Sequence, residues 1–171
     1  MLHEDEFNNN AEVVERYFKM IHYLDDVKSC LYISLPVDIK KDLDKLVIQI
    51  NDSYQHENIT ISKVKLLEII DSPQFNNRLW RKIEKDGKII GSILALIDKE
   101  INEGIIDYIQ VSPEYRNKNY GKELLIDCLN EFKDMADFVT VSGRIGNITN
   151  PRKLYASCGF KGNDIWYICK K

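Results

Sequence analysis

The stretch from residue 105 to 135, IIDYIQVSPEYRNKNYGKELLIDCLNEFKDM, constrains this chain more than any other. Ile105 to Val111 has the length and β-branched content of a strand and runs into Ser112-Pro113. A polar loop rich in Arg, Lys and Asn follows, with Gly121 as its only glycine. Beyond it Leu124, Leu125, Cys128, Leu129 and Phe132 fall on one helical face, which predicts a helix packed against a sheet. Strand, basic loop and helix N-terminus in that order make an anion site. The first N–H groups of a helix lack internal partners, and the macrodipole adds partial positive charge there. Arg116, Lys118 and Lys122 add full charges, so a phosphate is the expected guest.

The loop is neither a P-loop nor a dinucleotide fingerprint. Glu123 follows Gly121-Lys122 where a P-loop needs a hydroxyl for Mg²⁺, and Arg116 stands at the first glycine position. It resembles instead the coenzyme A pyrophosphate loop of the GNAT superfamily of N-acetyltransferases, Q/R-x-x-G-x-G/A, matched by Arg116-Asn117-Lys118-Asn119-Tyr120-Gly121. Asn119 replaces the first glycine. Asparagine is among the few residues that tolerate the left-handed region, so the loop is expected to form. A second segment, Asn150-Pro151-Arg152-Lys153-Leu154-Tyr155-Ala156-Ser157-Cys158-Gly159-Phe160, is similar to the family's late motif, with the Leu-Tyr-x-x-x-Gly-Phe spacing intact and Pro151 where a small residue is common.

The remaining chain fits one domain of 171 residues, with 44% hydrophobic and 30% charged residues. A net charge of −3 argues against general nucleic-acid binding. No signal-peptide core opens the sequence, and the apolar run Ile89 to Ile97 is too short to span a bilayer. Four dispersed cysteines without a C-x-x-C pair suit reduced packing residues in a cytoplasmic protein.

In chain order, residues 1 to 9 read as a disordered lead-in. Val13, Val14, Tyr17, Phe18, Met20, Ile21 and Leu24 predict an extra N-terminal helix that packs on the sheet or mediates a homodimer. Residues 28 to 35 read as a strand. Asp38 caps a helix that ends near a polar stretch from Asn51 to Asn58, and Thr60 or Ser62 starts another. Arg78 to Glu84 and Lys88 to Ile97 form a hairpin about Asp86-Gly87. Phe138 to Val141 is a short strand. Asn150 caps a helix with Pro151 at its first position, Gly159 lies just past its end, and Ile165 to Cys169 closes the chain as a strand. The order suits a mixed α/β sheet with helices on both faces, and the GNAT resemblance implies that the sheet is mostly antiparallel. It divides into a tail and extra helix over 1–27 and a GNAT-like domain over 28–171.

The resemblance implies acetyl-CoA as acetyl donor and a primary amine as acceptor, with central strands splayed apart around the pantetheine arm. That arm would pair with the backbone near Ile109 to Val111, and the diphosphate would lie on the backbone of 117 to 122 (Asn117, Lys118, Asn119, Tyr120, Gly121, Lys122), with Arg116, Lys122 and the motif residue Asn150 beside it. A leaving thiolate needs a donor, and the Tyr155 phenol is the candidate acid. The incoming amine must shed a proton. Asp107, placed by strand alternation with Ile105, Ile109 and Val111, is the candidate base, its carboxyl raised by apolar neighbours. An ion pair without chemical duty, a water relay and Tyr108 are the alternatives. His3, His22 and His56 have no metal-ligand spacing and read as surface residues; Tyr54, His56 and Glu57 are candidate acceptor contacts. Only Lys161 to Asp164 separate Phe160 from the last strand, so the acceptor side is open, or closed by the extra N-terminal helix or a second subunit. A non-catalytic acyl-CoA-binding module and a nucleotide-binding regulator are the competing functions.

Overall fold

Asp86 and Gly87 take φ of +50° and +74°, the pair of positive values that a two-residue hairpin turn requires. They join β4 (Phe75–Lys85) to β5 (Lys88–Asp98), the hairpin on which the fold is built. The computed structural model describes residues 2–6, 13–31, 34–57 and 59–169. Its other strands are β1 (Leu2–His3), β2 (Val13–His22), β3 (Leu35–Pro36), β6 (Glu103–Val111), β7 (Phe138–Arg144) and β8 (Lys161–Cys169). They form one sheet in the order β1-β8-β2-β7-β6-β5-β4-β3, antiparallel throughout except between β6 and β7.

Helices cover both faces. On one face α1 (Ile39–Ser53) and α2 (Lys63–Ile70) bury Leu43, Leu46, Ile50 and Leu66 against Trp80, Ile89 and Leu94. On the other, α3 (Tyr120–Phe132) and α4 (Pro151–Ser157) bury Leu124, Leu125, Leu129, Phe132 and Tyr155 against Ile90, Ile93, Val139 and Val141. Asp38 and Ser62 cap α1 and α2, accepting from the N–H groups of Lys40 and Lys65. This is the mixed sheet with helices on both faces expected from the element order, and mostly antiparallel as the GNAT resemblance implies.

Two features of β6 shape the centre of the sheet. Its parallel pairing with β7 runs only from Glu103↔Phe138 to Ile106↔Val141, after which β6 stays with β5 and β7 with β2. A gap therefore opens between the two central strands. Second, Leu94 and Ala95 face Tyr108 and Ile106, leaving Asp107 as the extra residue of a β-bulge. Ile106 and Ile109 consequently face the same α3-side core despite their spacing of three, so simple alternation does not hold through Asp107.

The N-terminal segment departs from its expected form. Val13–His22 is strand β2, antiparallel to both β7 and β8, and not a helix. Its buried residues Phe18, Met20 and His22 alternate, and they satisfy a strand as well as the helical stripe did. Valine, tyrosine, phenylalanine and isoleucine favour the pleated form, and two strands without other partners on their facing edges decide it. Leu2–His3 pairs with β8 where a disordered lead-in was expected; residues 7–12 lie outside those described. The expected strand over 28 to 35 reduces to Leu35–Pro36, with residues 32 and 33 outside those described. The backbone N–H groups of Leu31 and Ser34 are taken by the side chains of Glu123 and Asp127 on α3, not by a ladder. His22 is not on the surface: burial lowers its pKa, Leu24 N–H donates to its Nδ1 at 2.9 Å, and it packs edge-on to Phe160.

Candidate active site

Where β6 and β7 part, a cleft of about 460 Å³ opens, walled by the end of β6, the loop and first turn of α3, and α4. Each wall has a local cause. Ser112 N–H bonds to Ile90 O, which sets the phase of the β5–β6 ladder. By alternation the backbone groups of Ile109 and Val111 then point away from β5, toward the gap. Their carbonyls are occupied: Tyr54 Oη donates to Ile109 O at 3.2 Å and Arg116 Nε to Val111 O at 3.1 Å. The two N–H groups are left facing the cleft.

The loop turns through two left-handed residues, Asn117 at φ +60° and Asn119 at φ +65°. Asn119 thus takes the conformation that the missing glycine would have supplied, and it precedes α3 without a side-chain cap. The first backbone bond of α3 is Glu123 N–H to Asn119 O. The N–H groups of Tyr120, Gly121 and Lys122 are left for an external acceptor, where the helix dipole is positive.

Arg116 does more than add charge. Besides Val111 O it reaches Ser53 O with Nη2 at 2.7 Å, tying the end of β6 to the C-terminus of α1. Lys118 lies over the Tyr115 ring, 5.5 Å from its centroid, and is not part of the cleft lining. Ile109, Val111, Arg116, Asn117, Asn119, Tyr120, Gly121, Lys122, Asn150 and Tyr155 all line it. Asn150 sits at the expected position before α4 but is left-handed, at φ +47°, and makes no side-chain cap. A capping side chain needs an extended backbone at that residue.

The Leu-Tyr-x-x-x-Gly-Phe spacing has a geometric reason. Phe160 N–H bonds to Tyr155 O and Gly159 N–H to Ala156 O, with Gly159 at φ +102°. This is a Schellman ending, and it brings the residue after the glycine back onto the one three places inside the helix end. Phe160 accordingly packs on Tyr155 with ring centroids 6.0 Å apart, and Phe18 of β2 packs from the other side at 6.1 Å. The Tyr155 ring is buried in this stack, and its hydroxyl has no hydrogen-bond partner in the described protein. Burial, reinforced by Tyr54, pushes its pKa up, so the phenol holds its proton firmly.

A smaller recess of about 160 Å³ adjoins the cleft and shares Tyr54, Ile109 and Tyr155 with it. Asp107 and Tyr108 form one side, Ser142, Gly143 and Arg144 of β7 another, and Tyr17 of β2 a third. The N-terminal segment thus walls this side, as a strand. Asp107 is accessible to solvent yet enclosed enough that burial raises its carboxyl above the usual range, against the pull of Lys65. Tyr54 and Glu57 line the main cleft, whereas His56 lines neither space. Sequence reading missed Tyr17 and Arg144. Tyr17 had been absorbed into a helical stripe, and only strand pairing brings either residue to the site.

The acetyltransferase (GNAT) family model matches residues 47–160, two thirds of the chain, and takes in every wall of the cleft. The chain belongs to the GNAT acetyltransferase family. Solved structures share the GNAT fold with it. A GCN5-related N-acetyltransferase from Sphaerobacter thermophilus superposes with a TM-score of 0.74 at 16% identity, over 94% of this chain and 52% of that one. The PaiA N-acetyltransferase from Thermoplasma acidophilum, in complex with coenzyme A, gives 0.59 at 22% identity over 88% and 96%. The ribosomal-protein-S18-alanine N-acetyltransferase from Escherichia coli gives 0.58 at 15% over 88% and 91%. At these identities the likeness is one of fold, and this GNAT chain spans about half the length of the Sphaerobacter protein. No curated protein matches the sequence. No helix among the described residues is long and apolar enough to cross a membrane.

Proposed function

We propose that this GNAT protein transfers the acetyl group of acetyl-CoA to a primary amine by direct attack. The observation that carries the reading is one cleft with two chemically distinct ends. At one end stand the unpaired N–H groups of the α3 first turn and the Lys122 ammonium; at the other, the buried Tyr155 phenol. The residues fit the cofactor. A diphosphate is matched by helix N–H donors and a cation, an amide-bearing arm by the free N–H groups of Ile109 and Val111, and the cleft volume of about 460 Å³ lies in the range of ligand sites. When bound, acetyl-CoA supplies an activated acetyl thioester.

The chain's own residues then divide the work. Lys122 and the backbone of 117 to 122 hold the anionic end. The Val111 N–H is the donor placed for a developing oxyanion. Tyr155 holds a proton at Oη for a departing sulfur, and its raised pKa keeps that proton available through neutral pH. Asp107, its carboxyl raised by burial, accepts the proton of the amine. Four free cysteines suit a reducing, cytoplasmic setting.

The test is thiol release from acetyl-CoA across an amine panel, with Tyr155→Phe beside the wild type. Loss of a general acid typically costs about 10²–10⁴ in rate, and a thiolate leaves readily, so turnover should fall by about 10–100-fold. Affinity for acetyl-CoA should stay within about twofold. Undiminished turnover in the variant would remove Tyr155 from the reaction, and absence of acetyl-CoA binding would end the reading altogether.

A further inference from the structure

The recess beside Asp107 has a shape and charge that restrict what can enter it. Its volume of about 160 Å³ is close to that of a cavity of roughly 150 Å³ that holds one benzene ring, room for a group of about six heavy atoms and not a folded surface. Four tyrosines, Tyr17, Tyr54, Tyr108 and Tyr155, line it with Ile59 and Ile106, beside the neutral polar Ser142, Asn147 and Thr149. Two charged residues line it, Asp107 and Arg144. Arg144 is already met by Glu15 at 3.6 Å, and the same carboxylate accepts the Tyr17 hydroxyl at 2.7 Å. Asp107 has no hydrogen-bond or ion-pair partner among the described residues. Glu57, in the adjoining cleft, adds negative charge felt by both Tyr17 and Tyr54, while Lys65 is the cation acting on Asp107. With Arg144 countered by Glu15, Asp107 is the lining charge left without a partner among the described residues, on tyrosine faces that attract cations.

We propose that this recess is the acceptor subsite and selects a small alkylammonium of roughly four or five carbons, carrying no carboxylate beside the reacting nitrogen. Asp107 supplies the counter-charge, the tyrosines line the hydrocarbon, and an amino acid's carboxylate is repelled. The bulge in β6 is what frees Asp107 for this: a residue outside the ladder register carries no sheet partner. The proposal rests on the transferase reading of the main cleft. A free diamine and a lysine side chain present the same chemistry.

The test separates selectivity from turnover. Coenzyme A, which has no acetyl group to give, is bound first, and n-pentylamine or pentanoate is titrated at pH 7 by calorimetry. Pentylammonium should bind at least tenfold tighter than pentanoate. Asp107→Asn should abolish that preference, and Tyr17→Leu should weaken pentylammonium by about three- to tenfold. Unchanged coenzyme A affinity in both variants shows that they are folded. Equal or better binding of pentanoate, or a preference that survives in Asp107→Asn, overturns the proposal. If coenzyme A itself fails to bind the wild type, the transferase reading has failed; if it binds and no cation preference is seen, only the acceptor assignment falls. With acetyl-CoA, thiol release on cadaverine or on Nα-acetyl-lysine amide identifies the source of the alkylammonium. Faster release on glycine or glutamate than on either refutes the class.

Discussion

Replacing Gly159 by alanine tests how Tyr155 is held. Gly159 has φ +102°, outside the conformations that L residues adopt readily, so an alanine there costs about 1–3 kcal/mol from the backbone alone. The added Cβ would also lie 2.8 Å from Nε2 and 3.1 Å from Cδ2 of His22. That ring cannot yield cheaply. Nδ1 accepts from Leu24 N–H, and Phe160 packs against the ring. Displacing it forfeits about 1 kcal/mol of hydrogen bond and about 1 kcal/mol of aromatic packing. The sum is about 3–5 kcal/mol. With a urea slope of about 2 kcal/mol/M the midpoint should fall by about 1.5–2.5 M, and the melting temperature by about 10–15 °C. In a His22→Ala background the overlap is gone and the same substitution should cost only about 1–3 kcal/mol, a coupling of about 2 kcal/mol. A cost below about 1 kcal/mol, or an equal cost in both backgrounds, would show that the helix ending and the His22 ring do not fix this turn.

Three further outcomes are expected from the contacts of buried charged and titratable groups. Asp127→Ala leaves the guanidinium of Arg81 buried without its nearest carboxylate, since both side chains are only 9% exposed and 2.7 Å apart; a loss of about 3–5 kcal/mol is expected in urea unfolding, and Asp127→Asn should recover part of it. Arg116→Ala removes two charge-assisted bonds to Val111 O and Ser53 O and should cost about 3 kcal/mol, with Arg116→Lys recovering little because one ammonium cannot reproduce the fork. His22 is depressed by burial, so the folded protein binds fewer protons than the unfolded chain: its contribution is complete above the unfolded value of 6.5 and is lost as pH falls through the lower folded one. Urea midpoints should therefore decline below about pH 6.5, and His22→Ala should flatten that decline.

Much of the site was legible in the residues themselves. The turn that leads into α3, the left-handed competence of Asn119, the helix ending at Gly159 and the Asp86-Gly87 hairpin are all local, set by the conformational range of one residue or the hydrogen-bonding needs of one helix end. The segment over 13–22 was not legible, because its apolar residues satisfy both periods. The same holds for Asp107. Its identity marked it as a candidate base, but its orientation depends on a bulge that one strand alone does not specify.

By itself, then, the sequence determined the chemical inventory and the local turns: which helix end carries free donors, which tyrosine is tied to which glycine, and that the sheet is mixed. Tertiary structure alone decided that β2 enters the sheet between β7 and β8, bringing Tyr17 to the gap, and that Arg116 reaches a backbone carbonyl 63 positions away along the chain. The physical reason is one of range. Turns and caps are satisfied within a few residues, whereas a strand's edge and a cleft's far wall are completed by whichever distant segment best supplies the missing hydrogen bonds and apolar cover.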